Sequence, residues 1–115
     1  MPTVKKIGIL GGRMVELRVV DDAGEPKTGA LAAMKLVGQK DVIASVSTYG
    51  SSICEPASNI YEKFKKVNMG YGVTAVRLTH NYFFRTCGRD DSQGAFFAKV
   101  ASEKFGAKKI SAYSL

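Results

Sequence analysis

Residues 79–94 have the sequence THNYFFRTCGRDDSQG, and they contain the densest set of structural signals in the chain. Tyr82, Phe83 and Phe84 favour a β-strand, and Gly88 permits a tight turn after it. Asp90 and the acidic and hydroxyl residues that follow it are the types that satisfy free N–H groups at the start of a helix. The stretch therefore predicts a strand, a short turn and the first turn of a helix.

The residues after this stretch continue the helix. Phe97, Val100, Ala101 and Phe105 recur at helical spacing, which predicts one apolar face. Gly106 is a residue type that commonly ends a helix. The predicted unit places carboxylates in the turn before the helix, where they can hold the ammonium group of a ligand.

This unit resembles a segment of the periplasmic binding proteins for branched-chain amino acids, the solute-capturing subunits of ABC importers. Two other stretches contribute to the resemblance. Residues 15–27 (VELRVVDDAGEPK) are similar to the second strand of that family and its Asp-Asp-x-x-x-Pro-Lys exit. Residues 51–62 (SSICEPASNIYE) are similar to its ligand-contacting loop and third helix. The resemblance extends from about residue 6 to residue 110 and corresponds to the amino-terminal lobe alone.

The resemblance implies a function and a set of ligand contacts. The function would be non-catalytic binding of a Leu/Ile/Val-like amino acid for an ABC permease, in the periplasm and without a cofactor. Ser51, with Ser52 in the same loop, would bind the ligand carboxylate. Backbone groups at Gly72 and the Thr74 hydroxyl would hold the carboxylate and the ammonium group, and Asp90 would lie near the ammonium group. A single lobe would bind weakly, because an open half-site leaves the ligand charges in water.

Each of these residues also has a purely structural interpretation. Ser51 and Ser52 precede Pro56, so they are equally explained as caps of a helix that begins near the proline. Thr74 lies in a β-rich stretch, where hydroxyl groups usually have no function. Asp90 is explained by helix capping alone.

Composition limits the class of protein. The 115 residues fit one domain, residues 1–115, with 45% hydrophobic and 23% charged residues. The net charge of +7 raises a second function, a basic nucleic-acid-binding domain. The lysines are scattered, however, which favours a solvated surface and no nucleic-acid partner. No apolar run is long enough to span a membrane, and the first residues lack the apolar core of a signal peptide. We therefore expect a periplasmic location from the resemblance and a cytoplasmic one otherwise.

The chain alternates predicted strands and helices, which indicates an α/β fold. We predict a three-layer sandwich with a mostly parallel sheet, the flavodoxin-like lobe of a type I periplasmic binding protein. Strands are predicted at residues 4–10, 14–20, 41–48, 67–76, 83–86 and 107–113. Two further helices are predicted, one from Pro26 to Gly38 and one over residues 56–66. Their predicted buried residues are Ala30, Leu31, Met34 and Val37 in the first, and Ile60, Tyr61 and Phe64 in the second.

Only Gly11, Gly12 and Arg13 separate the first two predicted strands, which is too short for a parallel crossover. The family that the chain resembles has a long helix at this position. Either the two strands form a hairpin, or they are exchanged with a partner chain. One face of the sheet would then lose its cover, which favours a homodimer.

The sequence contains no recognisable enzyme signature. Gly11 and Gly12 lack the spacing of a phosphate-binding loop, and His80, the only histidine, has no paired nucleophile or metal ligand in sequence. Cys54 and Cys87 have no metal-binding spacing. We therefore predict a non-enzyme. A structural or self-associating module that keeps the fold without ligand binding remains the alternative.

Overall fold

The computed structural model describes residues 15–111. These residues form three helices and three strands. In chain order they are α1 (Pro26–Val37), β1 (Ala44–Tyr49), α2 (Ser51–Lys63), β2 (Val67–Tyr71), β3 (Phe83–Arg85) and α3 (Asp90–Phe105).

The three strands form one parallel sheet in the order β1-β2-β3. Helix α2 makes the crossover between β1 and β2, as parallel neighbours require. The register aligns Val46 with Met69 and Met69 with Phe84, so these side chains form one row across the sheet. The predicted α/β fold with a parallel sheet is confirmed.

Helix α1 begins at Pro26, whose fixed φ suits the first helical turn, and it ends before Gly38. Its buried residues are small: Gly29 and Ala33, followed by Val37. A Cβ atom on Gly29 would lie 2.8 Å from Cγ2 of Ile53 in α2. The absence of a side chain at this position therefore lets the two helices approach closely.

The predicted buried face of α1 is partly wrong. Leu31 and Met34 are exposed, while Val37 is buried as predicted. Because α1 and α2 lie close together, only small side chains fit between them, and the larger Leu31 and Met34 side chains lie on the solvent-exposed side of α1. In α2, Tyr61 is buried as predicted, whereas Phe64 lies after the last helical residue and is exposed.

Helix α2 begins five residues earlier than predicted. Gly50 is its N-cap, with φ of 98° and ψ of 134°, and the N–H of Cys54 donates to the carbonyl of Gly50. Residues 51–52 are therefore the first helical turn and not a loop. Pro56 lies inside the helix, where it lacks one intrahelical donor without ending the helix.

Two predicted strands are absent from the described residues. Residues 15–20 pair with none of the described strands, and the Arg18 side chain binds the side chains of Gln39 and Asp41. Residues 107–111 are likewise irregular. The predicted strand at residues 4–10 and the Gly11-Gly12 junction lie outside the described residues.

The two faces of the sheet differ in their cover. The inner face packs on α2, where Ser45 and Asn68 are buried, and two small apolar clusters fill the space around that helix. The clusters comprise Ala33, Val37, Ala57 and Tyr61, and Cys54, Val73, Ala75 and Leu78. The outer face exposes Val46 at 76% and Phe84 at 52%. Among the described residues, α3 buries no side chain.

Candidate functional site

The carboxyl ends of β1 and β2 lead directly into the predicted binding residues. Ser51 follows Gly50 and opens α2, and the Ser51 hydroxyl oxygen accepts a hydrogen bond from the backbone N–H of Ala75 at 3.2 Å. This contact joins the start of α2 to the segment after β2. The hydrogen of the Ser51 hydroxyl stays available for donation to a ligand.

The first turn of α2 presents backbone donors at the same edge. The first N–H groups of any α-helix have no intrahelical acceptor, and Gly50 supplies no side-chain cap for them. The helix dipole adds a partial positive charge at this end. A carboxylate is the kind of group that such a helix start binds.

Gly72 lies immediately after β2 in the left-handed region, with φ of 62°. A Cβ atom there would lie 2.6 Å from Cδ2 of Tyr49, so only glycine lets the backbone pass this ring. Tyr49 and Tyr71 end β1 and β2, and their ring centroids lie 6.2 Å apart. Both rings are exposed and form an apolar wall beside Gly72.

The segment after Gly72 is fixed by residues of β3 and the following turn. Nη1 of Arg85 donates to the carbonyls of Val73 at 3.1 Å and Ala75 at 3.0 Å, and Nη2 donates to the carbonyl of Leu78. The thiol of Cys87 also lies 3.3 Å from the Val73 carbonyl. These contacts hold residues 72–75 in one conformation at the sheet edge.

Asp90 is tied to the same segment through its backbone. Its N–H donates to the carbonyl of Thr74 at 3.0 Å, and Asp90 is the first residue of α3. The next carboxylate, Asp91, accepts hydrogen bonds from the Ser92 N–H and the Arg89 guanidinium, each at 2.8 Å. The Ser92 N–H and Arg89 lower the pKa of Asp91. The side chain of Asp91 is therefore engaged within the turn.

Backbone and side-chain contacts thus link four of the five predicted site residues. Ser51 is joined to Ala75, and Thr74 is joined to Asp90, with Gly72 two residues before Thr74. Ser52 lies in the same helical turn as Ser51, and its side chain is exposed. Within residues 15–111, no direct side-chain hydrogen bond joins these five residues to one another.

Sequence reasoning missed the residues that hold this edge in place. Arg85 was assigned only to a strand, and nothing in its local sequence indicates that it binds three carbonyls of a distant loop. Asp22 was also missed: the Thr48 hydroxyl and the Gly24 N–H donate to its carboxylate and lower its pKa. A signal did exist for Tyr49 and Tyr71, because residues at the ends of adjacent parallel strands lie at one edge.

Residues 15–111 contain neither a cluster of metal ligands nor a membrane-spanning helix. No group of three or more His, Cys, Asp or Glu side chains in residues 15–111 is arranged to hold a metal ion. None of the helices described there is long and apolar enough to cross a membrane.

The family model described as "Periplasmic binding protein" matches residues 3–113 of the chain. An amino acid binding protein of Pseudomonas aeruginosa is 34% identical over 93% of this chain and 29% of its own length. A Leu/Ile/Val-binding protein of Rhizobium johnstonii is 38% identical over 92% of this chain and 29% of its own length. The chain therefore spans about 29% of the length of the curated relatives it matches.

Solved structures have the same fold. A leucine binding protein of Thermotoga maritima superposes with a TM-score of 0.76 at 28% identity, over 84% of this chain and 28% of that one. An ABC transporter substrate-binding protein of Desulfitobacterium hafniense, in complex with Leu, gives 0.77 at 23% identity, over 82% and 29%. The matched proteins are solute-binding proteins, which confirms the predicted resemblance and the prediction of a non-enzyme.

Proposed function

The chain belongs to the periplasmic binding protein family, and on that premise we propose that it takes part in capturing a branched-chain amino acid for an ABC importer. The names of its relatives, which include Leu/Ile/Val-binding proteins, support this ligand class. An ABC permease would receive the ligand, and the periplasm would be the place of capture. The amino-acid site itself rests on the geometry at the carboxyl edge of the sheet.

Ser51 is the residue on which the proposal chiefly depends. Its oxygen accepts the Ala75 N–H, which leaves its own hydrogen available for donation to a ligand. The uncapped first turn of α2 adds backbone donors beside it. A ligand carboxylate would receive the Ser51 hydrogen bond and the field of the helix start together.

The ammonium group of the ligand requires acceptors, and residues 72–90 supply them. The Thr74 hydroxyl and the Asp90 carboxylate belong to segments joined by the hydrogen bond from the Asp90 N–H to the Thr74 carbonyl. Asp90 would supply the negative charge, and Thr74 a neutral acceptor. Charge-assisted hydrogen bonds of this kind are about twice as strong as neutral ones.

The aliphatic side chain of the ligand would lie against Tyr49 and Tyr71, whose exposed rings flank Gly72. This wall is open to solvent, so the ligand would stay partly hydrated. An open site of this kind should bind with a dissociation constant near 1 mM, which corresponds to about 4 kcal/mol.

The test is a titration of isotope-labelled protein with L-leucine, L-valine and D-leucine, followed by amide chemical shifts. We expect saturable shifts at residues 51–53 and 72–75 with the L-amino acids. Ser51→Ala should weaken L-leucine binding about five- to tenfold, since one hydrogen bond contributes about 1 kcal/mol. The exposed neighbour provides the matched control: Ser52→Ala should change the affinity less than twofold.

Two results would contradict the proposal. One is the absence of saturable shifts at millimolar L-leucine in a protein whose thermal unfolding is intact. The other is equal weakening by both serine variants, which would remove the specific role given to Ser51. Thermal unfolding of Ser51→Ala must accompany the titration, because the variant also loses the Ala75 contact.

A further inference from the structure

Arg85 binds two carbonyl groups that flank a single peptide group. Its Nη1 atom donates to the carbonyl of Val73 at 3.1 Å and to that of Ala75 at 3.0 Å. The peptide group between those two carbonyls joins Thr74 to Ala75. Because each peptide group is a rigid plane, holding the planes on both sides restricts the rotation of the one between them. The Arg85 guanidinium therefore fixes the orientation of the Thr74–Ala75 peptide group.

That peptide group links the two ends of the proposed amino-acid site. Its N–H, which belongs to Ala75, donates to the Ser51 hydroxyl oxygen at 3.2 Å. Its carbonyl, which belongs to Thr74, accepts the Asp90 N–H at 3.0 Å. None of the described peptide bonds is cis, and the N–H and C=O of a trans peptide group point in opposite directions. The orientation of this one group therefore sets the spacing between the start of α2 and the start of α3.

The Arg85 side chain is itself held in place. Its guanidinium carbon lies 5.3 Å from the centroid of the Phe83 ring, which is within the range of a cation–π contact. A Cβ atom on Gly70 would lie 2.5 Å from Cζ of Phe83, so the glycine leaves room for this ring. Nη2 of Arg85 donates to the carbonyl of Leu78, and the arginine is half-buried. Hydrogen bonds in such a partly desolvated place are stronger than hydrogen bonds in water.

We propose that Arg85 is a positioning residue of the amino-acid site and sets the spacing between the groups that bind the ligand carboxylate and the ligand ammonium. This role rests on the proposed function, and it adds a selectivity for α-amino acids, whose two charged groups are attached to one carbon atom. A β-amino acid has one more carbon between these groups and fits the fixed spacing less well. Arg85 acts through the Thr74–Ala75 peptide group and not by contact with the ligand.

Lysine at this position would keep the charge but lose the geometry. The guanidinium group is a planar fork with five N–H donors, whereas the lysine ammonium is a compact point charge on a flexible stem. Arg85→Lys therefore separates the role of the fork from that of the positive charge. Arg77 offers a matched control, because it lies in the same segment, is exposed and pairs with Glu55 at 2.7 Å.

The test is a titration of isotope-labelled protein with L-leucine and with its isomer β-leucine, followed by amide chemical shifts. In the original chain, L-leucine should bind at least about fivefold more tightly than β-leucine, because only the α-amino acid matches the spacing. Arg85→Ala and Arg85→Lys should each weaken L-leucine binding about tenfold and reduce the preference over β-leucine to less than about twofold. Arg77→Ala should change the affinity and the preference by less than about twofold, since exposed ion pairs contribute little.

Chemical rescue distinguishes positioning from a general loss of structure. Arg85→Ala leaves space in which methylguanidinium can bind the same carbonyl groups. At about 20 mM, methylguanidinium should tighten L-leucine binding by this variant at least about threefold, whereas methylammonium at the same concentration should not, because it lacks the planar fork. Thermal unfolding checks that each variant is folded. If Arg85→Ala does not fold, the affinity and preference of Arg85→Lys decide the matter.

The possible failures are distinguishable. If the original chain binds no L-leucine at millimolar concentration, the proposed function fails, and the role of Arg85 fails with it. If the original chain binds L-leucine and both Arg85 variants retain its affinity and its preference over β-leucine, only the role of Arg85 is overturned. Equal weakening of both ligands without rescue by methylguanidinium would also overturn it, because Arg85 would then merely stabilise the loop.

Discussion

The two faces of the sheet differ in cover: polar Ser45 and Asn68 are buried on the inner face, whereas apolar Val46 and Phe84 are exposed on the outer face. On the inner side, Ala33 is 1% exposed and Leu78 is 2% exposed, within clusters around α2. Away from α2, Phe97 and Phe105 of α3 and Val46 of β1 are exposed. The difference shows that apolar periodicity identifies which side chains suit burial, but burial itself depends on a second surface that fits.

The inner side owes its packing to small residues as much as to large ones. Gly29 and Ala33 let α1 approach α2, and Ala57 lies opposite them in the same cluster. Helix α3 has apolar residues of the right spacing but no neighbour within the described residues that buries them. The inner side should therefore provide most of the stability of the isolated chain.

Truncation of Leu78 should have the largest effect on that stability. Leu78→Ala leaves a cavity beside Cys54 and Val73 and should lower the free energy of unfolding by about 2–5 kcal/mol. Phe97→Ala on the exposed face of α3 removes a larger side chain, yet this change should lower the free energy of unfolding by less than about 0.5 kcal/mol. Urea unfolding of the two variants and of the original chain measures both losses of stability. Equal losses would mean that the Phe97 side chain is buried in the folded chain.

Enlargement of Ala33 tests the closeness of α1 and α2. Ala33→Leu should lower the free energy of unfolding by about 1–3 kcal/mol, because the interface has no room for three more carbons. The control is Leu31→Ala on the exposed side of the same helix, which should change it by less than about 0.5 kcal/mol. Thermal and urea unfolding of the two variants are compared with the original chain. A neutral Ala33→Leu would show that the two helices can move apart.

The smallest effect concerns a surface contact that fixes β3 to α2. Glu62 accepts hydrogen bonds from the Tyr82 N–H and the Asn81 side chain, each at 2.9 Å. The Tyr82 N–H in particular lowers the pKa of Glu62 below its usual value of 4.5. Since the folded pKa lies below the unfolded one, the contribution of Glu62 to stability is present above pH 4.5 and is lost as the pH falls through the folded pKa.

The matching measurement compares the original chain with Glu62→Gln in urea at several pH values. The variant should be slightly less stable at neutral pH, and the difference should shrink towards acid pH. A difference that stays constant with pH would show that the Glu62 carboxylate has no special role. Glu55→Gln, which affects an exposed ion pair with Arg77, is the control for removing a charge from the same helix.

Much of the fold could be predicted from local patterns. The helix at Pro26 and the helix from Asp90 to Phe105 have clear start and stop residues. Gly106 ends the second helix as predicted, in a left-handed conformation with φ of 61°. The strands at residues 67–71 and 83–85 lie within predicted strands, and the strand at residues 44–49 extends one residue beyond the predicted 41–48. These elements depend on residues close together in sequence, which is why the pattern identified them.

Errors arose where a distant partner controls the outcome. Residues 15–20 alternate as a strand does, but a strand also needs a neighbour to pair with, and none of the described strands pairs with them. The start of α2 was placed at Pro56 because proline usually marks a first turn. Gly50, with its positive φ, starts the helix earlier and moves Ser51 into the helix.

The candidate site likewise combines residues that the sequence predicts with contacts that only the structure shows. The sequence alone predicted ligand contacts through resemblance to a family and through the rule that ligands bind at the carboxyl ends of parallel strands. The predicted residues are Ser51, Ser52, Gly72, Thr74 and Asp90. It did not indicate that the Ser51 hydroxyl meets the Ala75 N–H, or that Arg85 holds the loop between them. Those contacts join residues 10 to 24 positions apart.

The sequence by itself determined the α/β class and the family, because both depend on local composition and order. Tertiary structure determined which apolar face is packed and which stays open. The reason is physical: burial requires two complementary surfaces at van der Waals distance, and Gly29 and Ala33 permit that approach on the inner side. On the outer face of the sheet, Val46 and Phe84 stay exposed, because none of the described residues packs closely on them.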